Sequence, residues 1–210
     1  MVVAKPKIYG RASSGNVQKV MWACAEAGVD VERIDFGLQF GGNNEPWYKK
    51  LNPNGLVPCF VDGDFALWES NTIIRYVAEH YGNRKLFPED PKVRAVANQW
   101  MDWANTYLGV PFGPMYLGMV RTPPEKRDLN HLESLRKESA RRFEILDARL
   151  GEVPYVAGKQ FTMGDIAFGY FANRWFNLPI ERPTFKNWEN WFVRMKERPA
   201  YMTHVMLPLT

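Results

Sequence analysis

The stretch NPNGLVPCFVDGDFALWES, from Asn52 to Ser70, decides the fold of the first part of this chain. Its two short apolar runs, LVPCFVD and DFALWE, are joined by Asp-Gly-Asp at positions 62–64, a pattern that is typical of a β-hairpin. Because Pro58 disfavours a helical conformation at Val57, the first strand begins with that residue extended. SNTIIRYVAEHYG follows at once and predicts a helix with Ser70 as its N-cap and Gly82 at its end.

The residues before the hairpin alternate between strand and helix patterns. KPKIYG and VDVERIDF predict strands. Between them, apolar residues at i, i+3, i+4 and i+7 from Val17 predict a helix that stops at Gly28. NNEPWYKKLN predicts a short helical or irregular segment. The predicted order is therefore β-α-β-α-β-β-α, in which a hairpin added to a β-α-β unit gives a four-stranded mixed sheet.

The second part of the chain has only helical patterns. It follows the Pro- and charge-rich stretch NRKLFPEDPKV, which predicts a linker. Four segments then carry apolar residues with helical spacing: VRAVANQWMDWANTYLG, LNHLESLRKESARRFEILDARLG, TMGDIAFGYFANRWFN and FKNWENWFVRMKER. We therefore predict an α/β domain over residues 1–82, a linker over 83–93 and an all-helical domain over 94–210.

Composition limits the classes of function. The chain has 210 residues, 46% hydrophobic and 24% charged, so it can bury a core and is not a disordered chain. The net charge is +4, but the basic residues are interspersed with acidic ones along the sequence. There is no cluster of basic residues of the kind that binds nucleic acid, so we expect no nucleic-acid partner. The N-terminus lacks the apolar core of a signal peptide, and no apolar run is long enough to cross a bilayer. We therefore expect a cytoplasmic protein with no membrane contact.

The two cysteines, Cys24 and Cys59, are interpreted as reduced, half-buried thiols. Neither belongs to a C-x-x-C pair, and neither has a histidine at metal-ligand spacing. We therefore expect no metal site.

Two predicted helix starts carry polar residues that suit a small ligand. Free N–H groups and the positive end of a helix dipole at Ser70 would attract a carboxylate, and Glu69 would suit an ammonium group; an amino acid carries both. At the first helix, a hydroxyl of Ser13 or Ser14 can donate to an anion, and a thiolate held there would have a lowered pKa. A simpler interpretation stays open, in which Pro58 starts a strand and the serines only cap their helices.

The stretch IYGRASSGNVQKVMWACAEAGVDVERID, followed by NPNGLVPCFVDGDFALWESNTIIRYVAEHYG, closely resembles the N-terminal domain of glutathione S-transferases, in particular bacterial theta-like serine types. GKQFTMGDIAFGYF resembles the helix-capping element of the second domain of that family. The resemblance covers essentially the whole chain. It implies a thioredoxin-like first domain, glutathione as co-substrate, transfer of glutathione to an apolar electrophile, a role in detoxification and a homodimer.

The resemblance also implies how glutathione is bound. Val57 would pair its backbone with the cysteinyl backbone of glutathione, as one strand pairs with another. Pro58 would be the cis-proline that exposes this backbone. Glu69 and Ser70 would hold the γ-glutamyl amine and carboxylate.

The catalytic group implied by the resemblance is a serine hydroxyl. Ser14 would donate to the glutathione thiolate, Ser13 is the rival one residue away, and Asn16 would assist at the same helix start. The neighbourhood of Asn43 falls where the family often contacts the glycyl carboxylate. Leu56 is a departure, because many relatives carry a lysine or arginine just before the Val-Pro pair.

The aromatic-rich stretch NQWMDWANTYLGVPFGPMY has two interpretations. It is either a core between helices or an apolar wall for the electrophile, since pockets for small molecules are mostly apolar and aromatic. The candidates for the wall are Trp103, Tyr107, Phe112 and Tyr116.

One polar pair in the second half is a folding signal. Thr162 and Asp165 have the spacing of a capping box, with Phe161 and Ile166 at the positions of a hydrophobic staple. Asp165 is therefore not expected to be an acid catalyst.

Two other functions remain compatible with these residues. The first is a glutathione-dependent disulfide or peroxide reductase on the same fold. Because positions 13 and 14 carry no cysteine, glutathione itself would have to supply the thiol chemistry. The second is a non-enzymatic interaction module, since one fold serves many functions.

Overall fold

The computed structural model describes residues 5–210. Its first part contains a four-stranded mixed sheet in the order β2-β1-β3-β4, formed by β1 (Lys7–Tyr9), β2 (Glu32–Ile34), β3 (Cys59–Asp62) and β4 (Phe65–Trp68). β1 pairs in parallel with β2 and antiparallel with β3, and β3 pairs antiparallel with β4. The helices of this part are α1 (Gly15–Glu26), α2 (Pro46–Leu51) and α3 (Ser70–His80). The predicted fold class and element order are confirmed.

Two glycines lie where the sequence predicts a hairpin turn and the end of a helix. Gly63 has a φ of 58° in the tight turn between β3 and β4, where Asp62 pairs with Phe65. Gly28 has a φ of 69° just after α1. Residues other than glycine rarely adopt this left-handed conformation, so each glycine ends its element where the sequence predicts.

The predicted N-cap of α3 is wrong by one residue. Glu69, not Ser70, occupies the cap position, with a φ of 71° and a ψ of 110°, and no side-chain hydrogen bond caps the helix. Ser70 is the first helical residue and is only 3% exposed. Its hydroxyl donates to Oδ1 of Asn16 at 3.2 Å, a partner on α1 that the local sequence pattern could not reveal.

The second part of the chain is helical. It contains α4 (Pro91–Trp103), α5 (Gly109–Val120), α6 (Leu129–Glu152), α7 (Met163–Ile166), α8 (Gly169–Asn177) and α9 (Lys186–Lys196), and α10 (Pro199–His204) follows. A π-helical segment, Ala104–Leu108, joins α4 to α5, and the N–H of Gly109 donates to the carbonyl of Ala104. Pro111 and Pro114 follow in α5. Because proline has no N–H to donate, each interrupts the regular i→i−4 hydrogen bonds close to the π-helical segment.

The described chain forms two compact units. The first contains the residues up to Pro88 together with Pro199–Leu207, and the second contains Glu89–Arg198 and Pro208–Thr210. In the first, α10 packs on α1 and Tyr201 contacts Trp22 edge to face at 4.8 Å. In the second, the buried ring of Phe143 stacks on Trp188 at 4.0 Å. Among the described residues, no helix combines the length and the apolar character needed to cross a membrane.

The capping box predicted in the second unit is present at the start of α7. The backbone N–H of Thr162 donates to Oδ2 of Asp165 at 3.0 Å, and the N–H of Gly164 donates to Oγ1 of Thr162 at 3.2 Å. Asp165 also accepts from the N–H of Val156 and from Nε1 of Trp191, both at 3.0 Å. One fully buried carboxylate therefore ties α7 to α9 and to the loop before α7.

We expect Asp165→Ala to lower the free energy of unfolding by about 3 kcal/mol or more, because each buried donor left without a partner costs ~1–3 kcal/mol. Urea unfolding followed by tryptophan fluorescence measures the change. Glu144→Ala, on the exposed face of α6, is the matched control and should change stability by less than about 0.5 kcal/mol. A loss below about 1 kcal/mol for Asp165→Ala would contradict this role.

Candidate glutathione site

Ser14 lies at the N-terminus of α1 with a hydroxyl that the helix does not use. It is the N-cap residue and is 8% exposed, yet its side chain makes no cap hydrogen bond. Its backbone is held on both sides, because its N–H donates to the carbonyl of Arg11 at 3.1 Å and its carbonyl accepts from the N–H of Gln18 at 2.9 Å. Ser13 is half-buried. The arrangement of Ser14 leaves its hydroxyl available to an anion at the positive end of the helix.

The N-termini of α1 and α3 meet side by side. The hydroxyl of Ser70 donates to Oδ1 of Asn16, and one helical turn further along α1, Nζ of Lys19 donates to Oδ1 of Asn71 at 3.0 Å. We call these four residues the polar seam. Glu69 precedes Ser70 and is exposed. The structure thus brings Ser14, Asn16, Glu69 and Ser70 to two adjacent helix N-termini, where anions are favoured.

Lys19 is a member of this region that the sequence did not single out. It has no exposed surface, and burial lowers the pKa of its ammonium group to about 7, against the opposing effect of the Glu69 carboxylate. Lys19 falls outside the apolar stripe that begins at Val17, so helical periodicity predicts an exposed side chain. Lys19 is buried because α3 packs on α1, and no local pattern in the sequence indicates this packing.

The turn before Val57 is held by a set of polar contacts. Oη of Tyr48 and Nδ2 of Asn52 both donate to the carbonyl of Leu56, at 2.6 and 2.8 Å. The N–H of Gly55 donates to the carbonyl of Asn52 at 2.9 Å, and Nδ2 of Asn43 donates to the carbonyl of Gly55 at 2.5 Å. These bonds fix the backbone that leads into β3.

Val57 follows this turn, and the Val57–Pro58 peptide bond is cis. Among residues 5–210, neither the N–H nor the carbonyl of Val57 has a hydrogen-bond partner. Its side chain packs, half-buried, against the cluster of Phe36, Tyr48 and Cys59. An extended ligand could therefore pair with the backbone of Val57 as an added strand does.

Leu56, whose side chain is 65% exposed, occupies the position where many relatives carry a cation. Two basic residues, Arg11 and Lys49, lie near the neighbouring loops instead. A Cβ added at Gly37 would lie 3.3 Å from Nη1 of Arg11 and 3.2 Å from Oδ1 of Asn43. Nζ of Lys49 lies 3.5 Å from the carbonyl of Pro53. Because Arg11 and Lys49 are distant from Leu56 in the sequence, the identity of the residue before Val57 does not reveal these two cations.

The four aromatic candidates fall into two groups. Phe112 is fully buried in the core of the second unit, and Tyr116 is 2% exposed, with its Oη accepting from the N–H of Thr210 at 3.1 Å. Trp103 is half-buried beside Trp100, and Tyr107, in the π-helical segment, is 55% exposed. The core interpretation therefore fits Phe112 and Tyr116, while Trp103 and Tyr107 keep exposed surface.

Both cysteines are buried and hold their protons. Cys24 and Cys59 have no exposed surface, and burial raises the pKa of Cys24 to about 12 and that of Cys59 to about 11. The full burial of both fits the interpretation of Cys24, on the apolar stripe of α1, and of Cys59, in a strand, as small apolar core residues, and it corrects the expectation that they are only half-buried. The thiolate is the reactive form of cysteine, so neither side chain is suited to exchange with a disulfide. Within residues 5–210, no group of His, Cys, Asp and Glu side chains could hold a metal ion.

Comparisons with known proteins found family models and relatives that match most of the chain. The family models described as "Glutathione S-transferase, N-terminal domain" and "Glutathione S-transferase, C-terminal domain" match residues 4–79 and 113–199. The chain is 40% identical over 205 residues to glutathione S-transferase GstB of Escherichia coli, covering 97% of this chain and 99% of that protein. It is 29% identical to glutathione S-transferase D6 of Drosophila melanogaster, covering 88% and 84% of the two chains.

A solved structure also matches over nearly the full length. The theta class glutathione S-transferase from the citrus canker pathogen Xanthomonas axonopodis pv. citri, with glutathione bound, superposes with a TM-score of 0.94. It is 42% identical, and the match covers 98% of this chain and 99% of that one.

We expect the native protein to react very slowly with a thiol-reactive aromatic disulfide at pH 8. With a pKa of about 11, only about a thousandth of Cys59 is thiolate at that pH. The release of the chromophore measures the rate, and the protein unfolded in urea, which should release two equivalents quickly, is the control. Rapid labelling of the native protein would contradict the burial of the thiols.

Proposed function

The chain belongs to the glutathione S-transferase family, and we propose that it joins the sulfur of glutathione to an apolar electrophile with Ser14 as donor to the thiolate. The observation that carries this proposal is the hydroxyl of Ser14, placed at the N-terminus of α1 and not used as a cap. Beside it, Glu69 and Ser70 lie at the N-terminus of α3. These groups match the thiol, ammonium and carboxylate of the γ-glutamyl-cysteinyl part of the ligand.

Binding along the backbone orients the thiol. The N–H and carbonyl of Val57, which follow the turn held by Tyr48, Asn43 and Asn52, pair with the cysteinyl backbone of glutathione. Glu69 accepts from the γ-glutamyl ammonium, and the backbone N–H groups at the N-terminus of α3, starting with that of Ser70, donate to its carboxylate. Asn43 and Leu56 lie at the glycyl end, where Asn43 also positions the carbonyl of Gly55.

The chemical step needs little acid–base machinery. The thiol of bound glutathione loses its proton to solvent, and the thiolate is stabilised by the Ser14 hydroxyl and by the positive end of α1. Asn16 assists by holding Ser70 beside this helix start. The thiolate then attacks the electrophilic carbon, a new S–C bond forms, and the leaving group departs with the bonding electron pair. Holding the two reactants together supplies most of the remaining acceleration.

The electrophile is apolar in this proposal. Trp103 and Tyr107 keep exposed surface that can contact it. Phe112 and Tyr116 are buried in the core of the second unit, so they are not part of the proposed contact surface. Such a reaction fits a role in detoxification in the cytoplasm.

We expect Ser14→Ala to raise the pKa of bound glutathione by about 1 to 2 pH units, because a hydrogen bond to a charged group contributes ~1.5–3 kcal/mol. The rate with an aromatic halide at pH 6.5 should fall about 10- to 100-fold. Thiolate absorbance of the bound ligand as a function of pH measures the first quantity, and steady-state kinetics measure the second.

Ser13→Ala is the matched control for that experiment and should leave both quantities within about twofold. A large effect of Ser13→Ala together with no effect of Ser14→Ala would move the donor role to Ser13. A parent protein that binds no glutathione would overturn the proposed enzyme.

We also propose that the protein is a homodimer. The strand β4 lies at the edge of the sheet, and it carries Phe65 and Trp68, which are 44% and 38% exposed. Exposed aromatic side chains on an edge strand are unfavourable in an isolated monomer and suit contact with another protein surface. A second copy of this chain is the partner that the family resemblance implies.

The dimer predicts a sedimentation mass of about twice the 24.3 kDa of one chain. Trp68→Glu should shift the protein toward the monomer, because a buried unpaired charge opposes association. Val193→Glu, at a residue of α9 that is 51% exposed, is the control and should leave the mass unchanged. A parent protein that sediments as a monomer at micromolar concentration would contradict the dimer.

A further inference from the structure

Lys19 is a basic side chain with no exposed surface, in the first half of α1. Its Nζ donates to Oδ1 of Asn71 at 3.0 Å, and Asn71, the second residue of α3, is itself 4% exposed. Removing an ammonium group from water is costly unless charged or polar partners compensate for the lost hydration. An apolar residue would fill the same space between two packed helices without that cost, so the lysine calls for a specific reason.

The position of Lys19 in the polar seam gives that reason. Lys19 lies three residues after Asn16 on the same face of α1, and Asn71 directly follows Ser70. The two hydrogen bonds, Ser70 to Asn16 and Lys19 to Asn71, therefore run side by side between the helix starts. Lys19 reaches from behind to the N-terminus of α3, where the γ-glutamyl carboxylate is proposed to bind.

We propose that Lys19 is a positioning residue of the glutathione site, holding the N-terminus of α3 through Asn71 and supplying buried positive charge for the ligand carboxylate bound there. This inference rests on the proposed function. In this proposal Lys19 does not touch the ligand, yet it contributes to the affinity for the γ-glutamyl group. Its charge acts through Asn71 and through the low-dielectric interior, where screening by salt is weak.

The protonation of Lys19 depends on burial and on the charged groups near it. The carboxylate of Glu69, before α3, favours the ammonium form, and the guanidinium of Arg75, on α3, opposes it. His204, on α10, is the titratable residue of the other helix packed on α1, and its own pKa is lowered by burial and by Arg33. Burial has the largest effect and lowers the pKa of Lys19 to about 7.

A carboxylate placed at the N-terminus of α3 adds negative charge near Nζ and so raises the pKa of Lys19. Binding then takes up protons at any pH between the pKa of the free protein and that of the complex. For a rise of about one pH unit, from about 7, the uptake at pH 7.5 is about 0.5 proton. The affinity for the ligand is highest below pH 7 and weakens up to about tenfold as pH rises through both values.

Calorimetric titration with S-methylglutathione tests this proposal. The methyl group removes the thiol, so proton release from sulfur cannot mask the uptake. Titrations at pH 7.5 in buffers of different ionisation enthalpy give the number of protons taken up, and titrations from pH 6 to 8.5 give the change in Kd. We expect uptake of about 0.5 proton and a Kd that rises with pH.

Two substitutions separate charge from structure. Lys19→Arg keeps a permanent positive charge and should bind with the low-pH affinity of the parent at every pH, with the Lys19-dependent uptake abolished. Lys19→Met fills similar space without charge and should bind about tenfold more weakly at pH 6, approaching the parent as pH rises. The ammonium group of the ligand titrates in the same way with all three proteins, so differences between them report Lys19.

Proton uptake that is equal in the parent and in Lys19→Arg would overturn the inference while leaving the glutathione site intact. An unchanged Kd for Lys19→Met at pH 6 would overturn it as well. Absence of S-methylglutathione binding by the parent would overturn the proposed function and this inference together, so the two failures are distinguishable.

Discussion

The contact between the N-termini of α1 and α3 is the constraint on which the candidate site depends. Each helix start carries partial positive charge and N–H groups without helical partners, so two such ends placed side by side repel each other. Two hydrogen bonds of the polar seam, from Ser70 to Asn16 and from Lys19 to Asn71, hold the two ends together, and the carboxylate of Glu69 offsets part of the positive charge, to which the Lys19 ammonium adds. The same arrangement concentrates positive potential at these two helix starts, where anions are favoured.

The turn before β3 forms the other half of the proposed site by a different kind of interaction. There the proposed binding groups belong to the backbone, and side chains hold that backbone in place. The carbonyl of Leu56 accepts from both Tyr48 and Asn52, and the carbonyl of Gly55 accepts from Asn43. Because these acceptors are already satisfied, a ligand meets a backbone whose shape is set in advance, and little conformational entropy remains to be lost on binding.

The order of the elements could be predicted from the sequence because short-range signals determine it. The Asp-Gly-Asp turn, the stop at Gly28 and the capping box of Thr162 and Asp165 each depend on neighbours within a few residues. The cap of α3 could not be predicted, since the hydroxyl of Ser70 bonds to Asn16, 54 residues earlier in the chain.

Burial was the harder property to predict, because it depends on which element covers a residue. Lys19 lies off the apolar stripe of α1, yet α3 covers it completely. Phe112, a core residue, and Tyr107, an exposed one, belong to the same aromatic-rich stretch. Helical periodicity gives the face on which a residue lies; it does not say whether a neighbouring helix or a ligand will cover that face.

The assignment of Pro199–Leu207 to the first compact unit has a consequence for how the protein is made. Tyr201 and Trp22 are both fully buried in contact with each other, although nearly the whole chain separates them. Bringing such distant residues together costs loop-closure entropy, and a ribosome delivers residues in order from the N-terminus. The sheet and its helices therefore leave the ribosome with the surface that receives α10 still open, and their core is completed only when Pro199–Leu207 has been synthesised.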